Sequence, residues 1–165
     1  YDVWDGVEGL GRLGERQRSP QDNAVCAEVF LRLHVLTREE EYRRVALATL
    51  EAFAGVYQNL GYFAAGYARQ VDTFLNLPAE VNIVGDPVSA AALYRAALWL
   101  DVPSRVVQVL DPARDGERLK ALYLSPQPLP AAYACAGTMC SAPVTKPEDL
   151  AQTVREMGES ARPRP

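Results

Sequence analysis

"EVNIVGDPVSAAALYRAALWLDVPSRVVQVL", residues 80–110, changes its periodicity twice. "EVNIV" is a short β-type run ended by Gly85. "SAAALYRAALWL" consists of good helix formers, and "SRVVQVL" is a second β-type run halted by Asp111 and Pro112. Branched apolar residues suit a pleated strand, and alanine and leucine suit a helix. Strand, helix and strand within about thirty residues predict a βαβ unit, with parallel strands and a right-handed crossover.

On the C-terminal side, residues 130–144 predict one more short strand or a hairpin. Thr145, with Glu148 three residues on, predicts a capped last helix ending near Met157. The polar "GESARPRP" over 158–165 predicts a disordered tail. On the N-terminal side three helices are predicted. Ser19 caps the first, with Pro20 at the first helical position and Asp22 at capping-box spacing. Its apolar stripe is Val25, Cys26, Val29, Phe30, Leu33 and Leu36. Thr37 is expected to cap the second, with the stripe Tyr42, Val45, Ala46, Leu50, Phe53 and Tyr57. A third is expected from Tyr62 to Leu77, with Phe63, Tyr67, Val71, Phe74 and Leu75 as its stripe and Pro78 as its stop. Short links between these helices predict antiparallel hairpins. Residues 1–18 hold Gly6, Gly9, Gly11 and Gly14 and read as loop. "GVEGLGRLG" lacks the Gly-Lys-Ser/Thr ending of a phosphate-binding loop. The expected fold is mixed α and β: helical hairpins over 1–78, a small βαβ-containing subdomain over 79–157, and the tail.

Of 165 residues, 21 are acidic and 17 basic, a net charge of −4 without a basic cluster, so neither nucleic acid nor an anionic surface is an expected partner. No apolar run reaches the roughly 20 residues a bilayer span needs. Three cysteines are an odd, low number for a disulfide scaffold, and a cytoplasmic setting is expected. The chain opens at Tyr1 rather than Met and is expected to be a piece of a longer protein.

Cys135 and Cys140 lie five apart around Gly137 in "AYACAGTMCSAPVTKPEDL", residues 132–150. Across a hairpin they can face each other at disulfide distance. The spacing is not the Cys-X-X-Cys that places a thiolate at a helix N-terminus, and a zinc site would need Cys26 and His34 from a distant helix as well. Structural thiols are the favoured reading, a reversible redox pair the second, and a metal the third. His34, the sole histidine, lies between Leu33 and Val35, and no two-histidine mechanism can be complete here. Asp22 and Asn23 read first as capping residues and second as the polar floor of a ligand site. Asp2, Asp5 and Glu8 beside Trp4 and Tyr1 read as solvated loop acids, with sugar binding the alternative. "IVGD" at 83–86 ends a strand before a helix, where α/β proteins often bind ligands. No cofactor is indicated.

Three segments resemble the C-terminal part of the thioredoxin-domain-containing family that includes spermatogenesis-associated protein 20. These are "DNAVCAEVFLRLHVLTREEEYRRVALATLEAF", "VNIVGD" and the cysteine-bearing stretch above, where Tyr133, Cys135, Cys140, Pro143, Val144 and Thr145 match and Ala134 replaces a valine. The resemblance covers nearly all of residues 1–157. It implies an N-terminal thioredoxin-like domain followed by an α/α toroid of the six-hairpin glycosidase and N-acylglucosamine 2-epimerase type. Residues 1–78 would be the toroid's last helices, and an apolar flank left by absent helices would drive self-association. Where the family carries Pro-Ser-Gly-Asn this chain reads "SPQDN", so only Asn23 carries over. The histidine acid and base of toroid epimerases have no counterpart, since His34 is alone. Two functions are implied for the parent. One is a carbohydrate-binding or carbohydrate-transforming toroid touched by Asn23, Asp22, Asp2, Asp5 and Trp4. The other is a non-enzymatic scaffold or redox partner for a thioredoxin-like domain, in contact through Cys135 and Cys140.

Overall fold

The computed structural model describes residues 19–76, 79–125 and 127–160, and they form a mixed α/β structure of six α-helices and a four-stranded sheet. Helix α1 runs Pro20–Thr37. Ser19, in extended conformation, accepts the Asp22 N–H on its hydroxyl, and Pro20 opens the first turn with no amide to satisfy. The helix stops at Arg38, whose left-handed φ of 66° turns the chain while its N–H returns to His34 O at 2.7 Å. Helix α2 is Glu40–Glu51. A 3-10 segment over Tyr57–Phe63, broken at Gly61 (φ 54°), leads into α3, Ala64–Leu75. Ala27, Leu50, Phe53 and Tyr67 make the buried centre of this helical part, and Tyr67 donates its hydroxyl to Leu50 O at 3.1 Å.

Strand β1 (Glu80–Val84), helix α4 (Ala91–Leu98) and strand β2 (Val106–Leu110) follow, then helix α5 (Gly116–Ala121), strands β3 (Ala131–Ala136) and β4 (Met139–Cys140), and helix α6 (Leu150–Ser160). The sheet order is β2-β1-β3-β4. β1 and β2 are parallel, with Asn82 beside Gln108, which bears out the predicted βαβ pairing. β3 is antiparallel to β1, with Glu80 opposite Cys135 and Asn82 opposite Tyr133, and β4 returns antiparallel to β3 as the predicted hairpin. Because successive strand residues face opposite sides, Val81, Ile83, Ala132 and Ala134 point to one face, where Leu93 and Ala97 of α4 and Leu150 and Val154 of α6 cover them. Val84, Leu110, Tyr133 and Cys135 point to the other, against Leu119 of α5 and Leu124. Burying a branched or large apolar side chain such as Ile83 or Leu93 contributes about 2 kcal/mol, so these two layers dominate the stability of the sheet. Gly85, at φ 154°, returns its N–H to Leu110 O at 3.0 Å, and a Cβ there would meet Pro130 Cβ at 3.2 Å.

Several local expectations are corrected. The face of α1 that meets α2 and α3 is Ala24, Ala27, Leu31 and Val35, whereas Val25, Cys26 and Val29 are exposed. Thr37 ends α1 and does not cap α2: its Oγ1 donates to Leu33 O and accepts the Glu39 N–H, and Glu39 holds the cap position with no side-chain bond. Tyr62 lies in the 3-10 segment and is exposed, as is Leu75. Thr145 is not the cap of α6, which is entered through a 3-10 turn at Pro147–Asp149 and continues to Ser160, three residues into the stretch read as tail. Helix α5 was not expected at all.

Candidate functional site

On the face of the sheet that carries Cys135, the outer half is polar. Glu80 and Asn82 are two apart on β1 and share this face, and both are buried, at 3% and 0% exposure. Gln108 joins them from β2. Alternating polar residues on a strand ordinarily face water. Here the end of α1 reaches over them, and Arg38 Nη2 meets Glu80 Oε2 at 2.5 Å. The other carboxylate oxygen, Oε1, accepts Asn82 Nδ2 at 3.0 Å and Gln108 Nε2 at 3.2 Å, and Gln108 Nε2 also donates to Asn82 Oδ1. Asn82 Nδ2 lies 3.5 Å from Cys135 Sγ. Arg118, from α5, donates to Leu36 O at the end of α1. Burial, and next the charge of Arg38, lower the Arg118 pKa, while Glu80 opposes them. Among the described residues Arg118 forms no ion pair.

Cys135 and Cys140 are joined by a disulfide rather than present as the separate thiols favoured from sequence. The hairpin explains the pairing. Gly137 takes a φ of 61° at the first of the two loop residues between β3 and β4, the position where a II′ turn requires glycine. The register then sets Cys135 opposite Cys140, with Cα atoms 4.0 Å apart. Ser141 N–H donates to Ala134 O, so the cysteines occupy the narrow, non-hydrogen-bonded pair of the ladder. The two ends differ in access: Cys135 is buried at 3% exposure, and Cys140 is exposed on the edge strand.

The other predicted site residues are not gathered here. Asp22 and Asn23 lie at the opposite end of α1. The Asp22 amide donates to the Ser19 hydroxyl, and half-buried Asn23 donates Nδ2 to Ser19 O at 2.8 Å. Asp2, Trp4 and Asp5 lie outside the described residues. His34 bridges two helices, with Nδ1 3.0 Å from Glu39 O and Nε2 3.8 Å from Glu40 Oε1. Cys26 is exposed and free. At "IVGD", Asp86 caps the following turn by accepting the Val88 and Ser89 N–H groups, and its pKa is lowered first by the Ser89 hydroxyl. A groove of about 380 Å³ beside it is lined by Tyr94, Asp111, Arg114 and Asp115 among others. Among the described residues no cluster of three or more His, Cys, Asp or Glu has metal-binding geometry, and no helix is long and apolar enough to cross a membrane.

Sequence reading did not single out Glu80, Asn82, Gln108 or Arg38. Their signal was a glutamine inside the apolar run "VVQVL" together with Glu and Asn at alternate positions of the neighbouring run. No family model, curated protein or solved structure matches this chain.

Proposed function

We propose that this chain is a thiol–disulfide module whose Cys135–Cys140 bond exchanges with the dithiol of a thioredoxin-like partner. The observation that carries the reading is the asymmetric hairpin disulfide, with Cys140 an exposed residue of the sheet edge and Cys135 a buried one beside a polar cluster. A partner thiolate attacks the exposed Cys140 sulfur, and the electron pair of the broken S–S bond leaves on Cys135. The partner's second thiol then resolves the mixed disulfide by attacking the partner's own sulfur, which releases Cys140. Two electrons pass to this chain, and the two protons lost by the partner balance the two thiols gained. In the reducing compartment expected from the cysteine content, a disulfide is transient and functional rather than structural.

The helical part is proposed to belong to an α/α toroid built of hairpins. Its support is the packing of α1 on α2 across the two-residue link Arg38–Glu39, together with Val25 and Val29 exposed on the outer side of α1, a face that would meet further helices or a second copy. The carbohydrate reading draws less support, because Asp22 and Asn23 serve the start of α1. Thiol alkylation and mass spectrometry across graded glutathione ratios test the redox reading. Cys135 and Cys140 are expected to become alkylatable together as the poise turns reducing and protected together as it turns oxidising. Free alkylation of both under oxidising glutathione overturns it.

A further inference from the structure

The redox reading leaves open why a sheet should bury a glutamate and an asparagine, with a half-buried glutamine against them, beside its disulfide. An ion pair with one buried partner is weak evidence for stability, since an apolar replacement of both partners is often neutral or better, so stability alone does not account for the cluster. Two of its hydrogen bonds, from Asn82 and from Gln108, converge on Glu80 Oε1. A carboxylate only accepts, so every group facing Glu80 must present a donor. That fixes both amides: Asn82 turns Nδ2 and Gln108 turns Nε2 toward Glu80 Oε1. With its nitrogen so aimed, Asn82 also directs an N–H at Cys135 Sγ, 3.5 Å away, and Gln108 holds the far side of the same amide through Oδ1. Arg38, on Glu80 Oε2, keeps the carboxylate in place and neutralises it.

We infer that Asn82 is a catalytic residue of the disulfide exchange, donating a hydrogen bond to the Cys135 sulfur as it departs, with Glu80 and Gln108 as the positioning residues that aim it. This rests on the redox reading above and adds to it the order of events. Attack occurs at exposed Cys140, the S–S bond breaks, and the electron pair comes to rest on Cys135, where a donor already points. A better-stabilised leaving thiolate departs faster. The surrounding charges agree with that direction. Arg38 from the end of α1 pairs with Glu80 on β1, so the carboxylate behind Asn82 is compensated and opposes a Cys135 thiolate less than a free one would. The other titratable group nearby on β3, Tyr133, is neutral: burial raises its pKa, and its hydroxyl donates to Ser125 O at 3.1 Å.

The test uses the whole chain, with dithiothreitol as the reductant, and compares the native protein with Asn82→Leu and Gln108→Leu. Disulfide loss is followed by quenched alkylation. In a Cys26→Ser/Cys140→Ser background, thiolate absorbance against pH reads the acidity of Cys135 alone. A hydrogen bond to a charged acceptor predicts reduction about tenfold slower in Asn82→Leu and a Cys135 thiol about tenfold less acidic. Gln108→Leu changes both in the same direction by a smaller factor, and it carries the test if Asn82→Leu does not fold. Unchanged rate and acidity in folded variants that still form the disulfide overturn the role of Asn82 and leave the redox reading standing. Failure of the native chain to form the disulfide, or of dithiothreitol to reduce it, overturns both.

Discussion

At the scale of single residues, Arg38 has two tasks. Its left-handed backbone ends α1, and its guanidinium meets Glu80, the one buried carboxylate among the described residues. Removing one partner of such a pair leaves the other charge without compensation, which costs more than the pair itself contributes. Arg38 is partly exposed, and Glu80 keeps two amide donors, so the penalty is reduced. Arg38→Met, which keeps the stem and the same backbone demand, is expected to lower stability by about 2 kcal/mol in urea unfolding. Arg38→Met combined with Glu80→Gln is expected to recover part of that loss, because the unpaired charge is gone. A single variant as stable as the native chain would show that the pair is solvated and energetically idle. The capping role of Ser19 and the place of Pro20 at the first helical position were legible because a cap depends on neighbours in sequence. The Arg38–Glu80 contact spans 42 positions, and no local pattern announces it.

At the scale of elements, the strands were legible and the helix faces were not, for opposite physical reasons. "EVNIV" and "VVQVL" declare themselves through branched apolar residues, and their parallel pairing follows from the helix between them. In α1 the large apolar residues suggested the wrong face. The helix meets its neighbours through Ala24, Ala27, Leu31 and Val35, and α2 contributes Ala46 and Leu50, so half of that face is alanine, which a search for large apolar residues passes over. Helix α5 escaped notice because its six residues bury only Leu119, too little for a periodic signal. The corrected face of α1 makes a paired prediction. Ala27→Leu is expected to cost about 1–3 kcal/mol by overpacking, and Val29→Lys is expected to stay within about 0.5 kcal/mol. Equal losses in urea unfolding would contradict the assignment. Val25 and Val29 lie one turn apart on the exposed side, and the proposed self-association is placed there: the native chain is expected to associate in sedimentation velocity and Val25→Lys/Val29→Lys to weaken that association, whereas a monomeric native chain or an unchanged profile would contradict the proposal.

At the scale of the molecule, the helical part and the sheet meet where α1 ends. Arg38 reaches Glu80, Arg118 reaches Leu36 O, and further along Thr73 of α3 shares a hydroxyl contact of 2.8 Å with Ser104. The polar cluster is therefore also a joint, and the disulfide sits on its far side through Asn82. That arrangement could not be read from sequence, since it needs β1 to lie between β2 and β3 in one sheet and α1 to end over it. The cysteine spacing did show that a hairpin could bring the two sulfurs together. The turn at Gly137 and the register Cys135–Cys140 bear that geometry out. The most direct measurement of the central claim is a trapping reaction. The chain, with its disulfide formed, is mixed with a reduced thioredoxin-like protein that keeps only its attacking cysteine, quenched with N-ethylmaleimide, and digested for mass spectrometry. The account predicts one cross-linked peptide, joining the partner's cysteine to Cys140, with Cys135 alkylated in the same molecule. A cross-link at Cys135 or Cys26, or none while the disulfide stays intact, would contradict it.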